Sequence, residues 1–324
     1  MNLSWRAVVA LAAVLIAGEA IAQANYPEKP IRMLAGFPAG GPSDIVARLV
    51  GDRLTDALGK PVVVEVMTGA GGSIASDRVA KSAPDGYTLL IATSGMIVVN
   101  PSLYPRLPFD PLKDLTPVIE ISVQPNFLVV NNSVPANSVQ ELVALARAQP
   151  GKLTFASGGA GTSNHLAGEL FKSMAKIDIQ HVPYRGVSVA LPDLLAGRID
   201  LAFLVAPAAL PQVREGRVRA LAVSSLRRSP AAPELPTMAE SGFPGFDATT
   251  WYALMAPAGT PTTIVERLRR EIARSLAQPE FRKKFDEIGT EVTTRSFAEF
   301  VAALPAETQQ WARIIKEAGI KPTD

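Results

Sequence analysis

Three times along this 324-residue chain, a short apolar run ends in a glycine-rich turn and passes straight into a segment with apolar residues at helical spacing. The turns are Gly36-Phe37-Pro38-Ala39-Gly40-Gly41-Pro42-Ser43-Asp44, Gly69-Ala70-Gly71-Gly72-Ser73 and Ser157-Gly158-Gly159-Ala160-Gly161-Thr162-Ser163. Strands alternating with amphipathic helices bury their apolar faces by layering helices on a mostly parallel sheet, so the pattern predicts a doubly wound α/β fold. The first strand is expected over 31–36. A helix over 43–58 follows, with Ile45, Val46, Leu49, Val50 and Leu54 on one face and Gly59 as its stop. Next come a β-branched strand at Val62–Val66, a helix over about 73–82, and a strand over 88–92 after the Asp85-Gly86 turn.

The pattern then breaks and restarts. Residues 101–117 are rich in proline and charge and read as a surface connection. The extended apolar stretch 119–130 reads as a crossing into a second lobe. That lobe opens on Ser138-Val139-Gln140-Glu141, a capping box, with further strands over 153–156, 179–182, 201–204 and 220–223. Residues 225–248 are irregular, and 248–255 carries the chain back. Thr260-Pro261 starts a helix with proline at its first position, and Ser296-Phe297-Ala298-Glu299 is a second capping box. A break is expected in the last helix near Pro305. A chain of this length suits two lobes. We therefore expect lobe 1 at 25–124 with 248–324, lobe 2 at 125–247, and a ligand-closing cleft between them.

Residues 7–17 form an unbroken apolar run behind Arg6 and are followed by Ala22-Gln23-Ala24. This reads as a signal peptide over 1–24, too short to span a bilayer, and implies a periplasmic product. Composition removes several function classes. Lys and Arg total 32 against 30 Asp and Glu, with no basic block, so nothing marks a nucleic-acid surface. With no cysteine and 2 histidines, thiol chemistry is excluded and no metal site is expected. No cofactor is expected either.

The chemistry sits in the turns. Glycine lets a backbone approach a ligand closely, and the first N–H groups of a helix have no intrahelical acceptor. Together with the positive end of the helix dipole, they suit a carboxylate. One such loop on each lobe would hold a small organic acid from both sides. No loop carries the Gly-Lys-Ser/Thr of a nucleotide-binding P-loop, and Asp200 follows the wrong strand to serve a ribose. His165 and Glu169 stand one helical turn apart, yet no third metal ligand accompanies them. Ser157 or Ser163 beside His165 lacks both the G-x-S-x-G elbow and an orienting acid. His181, Trp251 and Tyr252 read as structural, and Arg147 and Arg198 as solvated or paired. Arg185 stands near enough to a strand end to reach a cleft.

In these stretches the chain resembles the Bug family, the periplasmic receptors of tripartite tricarboxylate transporters. The resemblance is carried by residues 37–44, by Asp85-Gly86-Tyr87-Thr88-Leu89-Leu90 and by Pro150-Gly151-Lys152-Leu153. It continues through His165-Leu166-Ala167-Gly168-Glu169-Leu170-Phe171, His181-Val182-Pro183-Tyr184-Arg185-Gly186 and Ala256-Pro257-Ala258-Gly259-Thr260-Pro261. It implies a type II periplasmic-binding-protein fold, with two α/β lobes joined by two crossover segments. It further implies a ligand carboxylate held by backbone amides of the first loop and of the 157–163 loop. Family substrates are small organic acids, passed to separate membrane transporter subunits. The cleft geometry puts a monomer first, and no catalytic residue is expected.

The expected ligand-binding set is Phe37, Ala39, Gly40, Gly41, Ser43, Asp44, Ala70 and Ser94 from lobe 1. Lobe 2 adds Ser157, Gly158, Gly159, Gly161, Thr162, Ser163, His165, Phe203 and Val205. Two departures bear on the ligand. Phe203-Leu204-Val205 stands where the family often has Phe-Asp-Asn, and Val66-Met67-Thr68 where it has Asn-Arg-Pro. Losing an acidic group argues against a ligand ammonium, and both changes favour a carboxylate with an apolar body. The same fold also serves sensory receptors, and an exported hydrolase is a further alternative.

Overall fold

The computed structural model describes residues 26–104, 106–159, 161–184 and 187–320. The segment 1–24, Ala160 and Arg185 lie outside the described residues. The strands are β1 (Ile31–Ala35), β2 (Val62–Val66), β3 (Thr88–Thr93), β4 (Leu115–Gln124), β5 (Asn126–Asn131) and β6 (Thr154–Ser157). They continue with β7 (Gln180–Pro183), β8 (Leu201–Val205), β9 (Val218–Val223), β10 (Thr250–Pro257) and β11 (Glu291–Val292). Two sheets result, in the orders β11-β4-β10-β3-β1-β2 and β7-β6-β8-β5-β9. The chain is a two-lobed mixed α/β protein.

The crossings follow from the strand order. The chain leaves the first sheet along β4 and enters the second through Pro125. It returns along β10, which pairs antiparallel with both β3 and β4. Outgoing and returning strands are therefore neighbours, and both connections leave the sheet at one end. β3 and β5 are buried along their whole length, whereas edge strand β2 is half exposed. That difference explains why the first two read as continuous apolar runs.

The principal helices are α1 (Pro42–Leu58), α2 (Ser73–Ala80), α3 (Val139–Ala148), α4 (Ser163–Ala175) and α5 (Val187–Leu195). After them come α6 (Ala206–Arg214), α7 (Thr262–Leu276), α8 (Pro279–Glu287) and α9 (Phe297–Glu317). α7 buries Ile264, Val265, Leu268, Ile272 and Leu276 along one stripe against the first sheet. α9 is tied down by charge as well as by packing. Arg295, just before it, reaches Glu120 of β4 at 2.6 Å and Glu307 of α9 at 2.7 Å. Trp251 Nε1 donates to Glu307 at 2.8 Å.

Four expectations need correction. Residues 101–117 hold one-turn helices at Asn100–Leu103 and Pro111–Asp114 and the start of β4. Pro261 is the residue capping α7, one position before the first turn. Ser138 accepts the Glu141 N–H, but the Glu141 carboxylate bonds the Asn137 N–H, so the box is half formed. α9 runs unbroken through Pro305. Pro305 and Val301 both lie on its exposed side, where water can serve the Val301 carbonyl that loses its N–H partner.

Candidate functional site

α1 begins directly after β1, and α4 directly after β6. Each helix therefore starts at the carboxyl end of a strand, where open α/β sheets form their ligand crevices. Between the two starts lies a cleft of about 1050 Å³, room enough for a small organic molecule. Its described lining carries no charged side chain. Any ionic ligand must therefore be met there by neutral donors and helix dipoles.

Neither helix start is closed by its own side chains. Gly41, the cap of α1, has none, and Pro42 has no N–H to satisfy. Thr162, the cap of α4, turns its hydroxyl to the Gly159 carbonyl at 2.6 Å and to Asn164 Oδ1 at 2.7 Å. The N–H groups of Ser43 and Asp44, and those of Ser163, Asn164 and His165, fall in the first turns and have no intrahelical acceptor. Ser43, Ser163 and Asn164 line the cleft. The Ser43 hydroxyl is itself buried and without a hydrogen-bond partner.

The glycine amides behave differently from the expectation that they hold the ligand. Gly40 N–H bonds Asp44 Oδ2 at 2.9 Å, and Gly41 N–H the Pro38 carbonyl at 3.2 Å. Gly158 N–H goes to Asn164 Oδ1, Gly159 N–H to Ser157 Oγ and Gly161 N–H to His165 Nδ1, each at 3.0 Å. These amides shape the loops, which leaves the first-turn amides of α1 and α4, on residues that line the cleft, without intrahelical acceptors. Positive φ at Gly40 (79°) and Gly161 (76°) lets both loops fold this tightly.

Of the expected residues, Phe37, Ala39, Gly40, Gly41, Ser43, Ser94, Gly158, Gly161, Thr162 and Ser163 line the cleft. The others stand behind or away from it. Asp44 fastens the first loop: its carboxylate takes the Gly40 N–H and pairs with Arg48. Burial opposes its charge, but the bond from Arg48, the Gly40 N–H and the Arg48 charge together hold its carboxyl below the usual range. Ser157 and Gly159 support the second loop from beneath. Ala70 is exposed, and Gly71 lines the cleft in its place. Phe203 is fully buried against Phe171 and Phe246, with ring centroids 6.1 and 6.2 Å away. Val205 caps α6.

His165 lies under the second loop, stacked on His181 at 3.9 Å between centroids. Burial, then the charges nearby, lowers its pKa to about 3, and burial chiefly lowers that of His181 to about 4. Both rings are neutral at pH 7, which leaves His165 Nδ1 free to accept from Gly161. Glu169 stands 3.8 Å from His165 Nε2, and among the described residues no third ligand completes a metal group. The serine within reach of a histidine is Ser157, 2.6 Å from His181 Nε2 and 1% exposed, rather than a serine beside His165.

The sequence reading missed Asn100, Leu103, Tyr104, Gln124, Thr250, Tyr252 and Trp311, all on the cleft wall. Asn100 donates to the Gly71 carbonyl and to Ser73 Oγ, buttressing the middle glycine loop. Gln124 had a signal available, as the last residue before the Pro125 crossing. The two departures from the family pattern lie off this wall, with Leu204 buried in lobe 2 and Val66 exposed on the sheet edge. The cleft's apolar character comes instead from Phe37, Val99, Leu103, Leu166 and Trp311.

Comparison with known proteins agrees with this geometry. Residues 46–320 match the family described as tripartite tricarboxylate transporter family receptor. Protein BugT of Bordetella pertussis is 39% identical over 298 residues, covering 92% of this chain and 91% of its own. A structure of R. palustris Rpa4515 with adipate aligns at TM-score 0.75 and 38% identity, over 92% of this chain and 100% of that one. MatC from Rhodopseudomonas palustris with bound malate aligns at TM-score 0.71 and 32% identity, over 90% and 100%. The chain therefore belongs to the tripartite tricarboxylate transporter receptor family of periplasmic solute-binding proteins.

Proposed function

We propose that this protein captures a small organic carboxylate in the cleft and delivers it, chemically unchanged, to a tripartite tricarboxylate-type membrane transporter. The observation that carries the reading is the pair of uncapped helix starts on opposite walls of one cleft, with the buried, unpartnered Ser43 hydroxyl beside the first. A carboxylate satisfies that hydroxyl and the first-turn amides together, and both helix dipoles favour its charge. Rpa4515 with adipate and MatC with malate are relatives whose structures hold small carboxylates.

The expected lobes, 25–124 with 248–324 and 125–247, move as two bodies about the adjacent crossings at Pro125 and at 224–249. Exposed contacts such as Ser173–Glu317 (3.1 Å) and Arg227–Thr294 (3.3 Å) can break and re-form at little cost. Closure removes water from the cleft, and the amides then act on the carboxylate in a lower dielectric. The site works as a monomer. Export by the segment 1–24 places it outside the cytoplasm; among the described residues no helix is long and apolar enough to cross a membrane.

A thermal-shift series with malate, adipate, other diacids and the corresponding amides tests this reading. A hundredfold excess over Kd adds about 2.7 kcal/mol of stability to a protein that binds only when folded. Stabilisation by acids and not by their amides is expected. Equal shifts from acid and amide, or none from any acid, would overturn the proposal.

A further inference from the structure

The strand order of lobe 1 sets out a row along one end of its sheet. β1, β3 and β4 point the same way, so the cleft loops that follow β1 and β3 emerge where β4 leaves for lobe 2. β11 is antiparallel to β4 and opens with Glu291 opposite Val123, so the turn before it emerges at that end too. The order β11-β4-β10-β3-β1-β2 puts this turn on one flank of the crossing strands and the cleft loops on the other. A rotation about the crossings that draws the cleft loops toward lobe 2 therefore draws the 289–291 turn away from it.

That turn is seated on lobe 2. A Cβ added to Gly289 would stand 2.3 Å from Pro207 Cδ and 3.4 Å from Ala206 Cβ, so backbone lies directly against the first turn of α6. Ser229, 1% exposed, donates to Glu291 Oε1 at 2.5 Å and accepts the Ala231 N–H at 3.2 Å. All of these residues lie outside the cleft lining. Across the cleft, a Cβ on Gly161 would stand 2.8 Å from Leu103 Cδ1, a contact made by one flexible side chain. Among the described residues no hydrogen bond joins the two cleft loops. The cleft, at about 1050 Å³, is far roomier than a small acid fills, so its walls must come closer to exclude water.

We propose that the Gly289–Glu291 turn is a latch on the far flank of the hinge. Its contacts with Ala206, Pro207 and Ser229 hold the cleft apart, and closure around a bound acid breaks them. Ser229 and Glu291 are then positioning residues that set the affinity without touching the ligand. The free energy of the latch is subtracted from that of binding, because the closed state is reached only after the latch opens. The inference rests on the carboxylate-capture and two-lobe reading above and deepens it.

The chain has no cysteine, so one engineered disulfide can fasten the latch reversibly. Ala206→Cys combined with Gly289→Cys sets the two Cβ atoms 3.4 Å apart, close to the span of a disulfide. Isothermal titration with malate and adipate then compares the oxidised protein with the same sample after reduction. The oxidised form should bind at least about tenfold more weakly, and reduction should restore the affinity. Ser229→Ala takes the hydrogen bond out of the latch. It should bind about three- to tenfold more tightly than the natural protein, and X-ray scattering without ligand should give it a smaller radius of gyration. Equal affinities of the oxidised and reduced forms, or Ser229→Ala binding no more tightly than the natural protein, would overturn the latch and leave the carboxylate reading standing. Failure of every acid to bind the natural protein would sink the carboxylate reading, and this inference with it.

Discussion

Lowering the pH from 7 to 4 should cost the fold about 3 kcal/mol through His165 alone. The residue is 4% exposed, packed against Phe155 of β6 and His181 of β7, with Glu169 and Lys172 from its own helix around it. Burial first, then His181, then the Lys172 charge bring its pKa from 6.5 to about 3. As the pH falls through 6.5 the unfolded chain takes up a proton that the folded chain refuses until about 3. Stability therefore falls with pH across that window, by about 1.4 kcal/mol per unit. Urea unfolding followed by circular dichroism at pH 7 and pH 4 measures the loss in the natural protein and in His165→Gln. The natural protein should lose about 3 kcal/mol more, because His181 and the carboxylates titrate in both. Losses that agree within about 1 kcal/mol, the scale of extrapolation error, would refute the reasoning.

Further outcomes follow from the same geometry. Ser43→Ala removes a buried hydroxyl without a partner, so stability should hold or rise by about 1 kcal/mol while carboxylate affinity falls about tenfold. Calorimetry and thermal melting read the two effects separately. At Gly40 nothing lies within 4 Å of an added Cβ but φ is +79°, so Gly40→Asp should lose about 1–2 kcal/mol of stability to backbone strain in thermal melting, while its charge abolishes carboxylate binding in titration. Arg295→Met leaves Glu120, which is 1% exposed, without its cation, and chemical denaturation should show a loss of about 3–5 kcal/mol.

The lobes and their strands were legible because buried parallel strands and amphipathic helices write distinct periods. β2, with valine at four of five positions, and α1, closed by Gly59, need nothing beyond local rules. The loops were legible too, since glycine at positive φ is a local demand. What local rules cannot give is which wall a side chain faces once two lobes meet. Tyr252 reads as core from its strand and is 4% exposed in the core of the first lobe, yet it also reaches the cleft wall, where its hydroxyl donates to Gln124. Asn100 and Leu103 sit in a one-turn helix that contains Pro101, where no period shows. Phe203 illustrates the reverse error. A strand-end position carried over by resemblance is occupied here by an aromatic ring that packs inward on Phe171 and Phe246. His165 belongs to the expected binding set, yet its ring works from behind the loop, accepting the Gly161 N–H.

The most direct test of the central claim is a crystal structure with the acid that gives the largest thermal shift. Its carboxylate oxygens should lie about 2.7–3.1 Å from Ser43 Oγ and from first-turn amides of both α1 and α4. A carboxylate seated elsewhere in the cleft, or bound with both helix starts facing only solvent, would contradict the account.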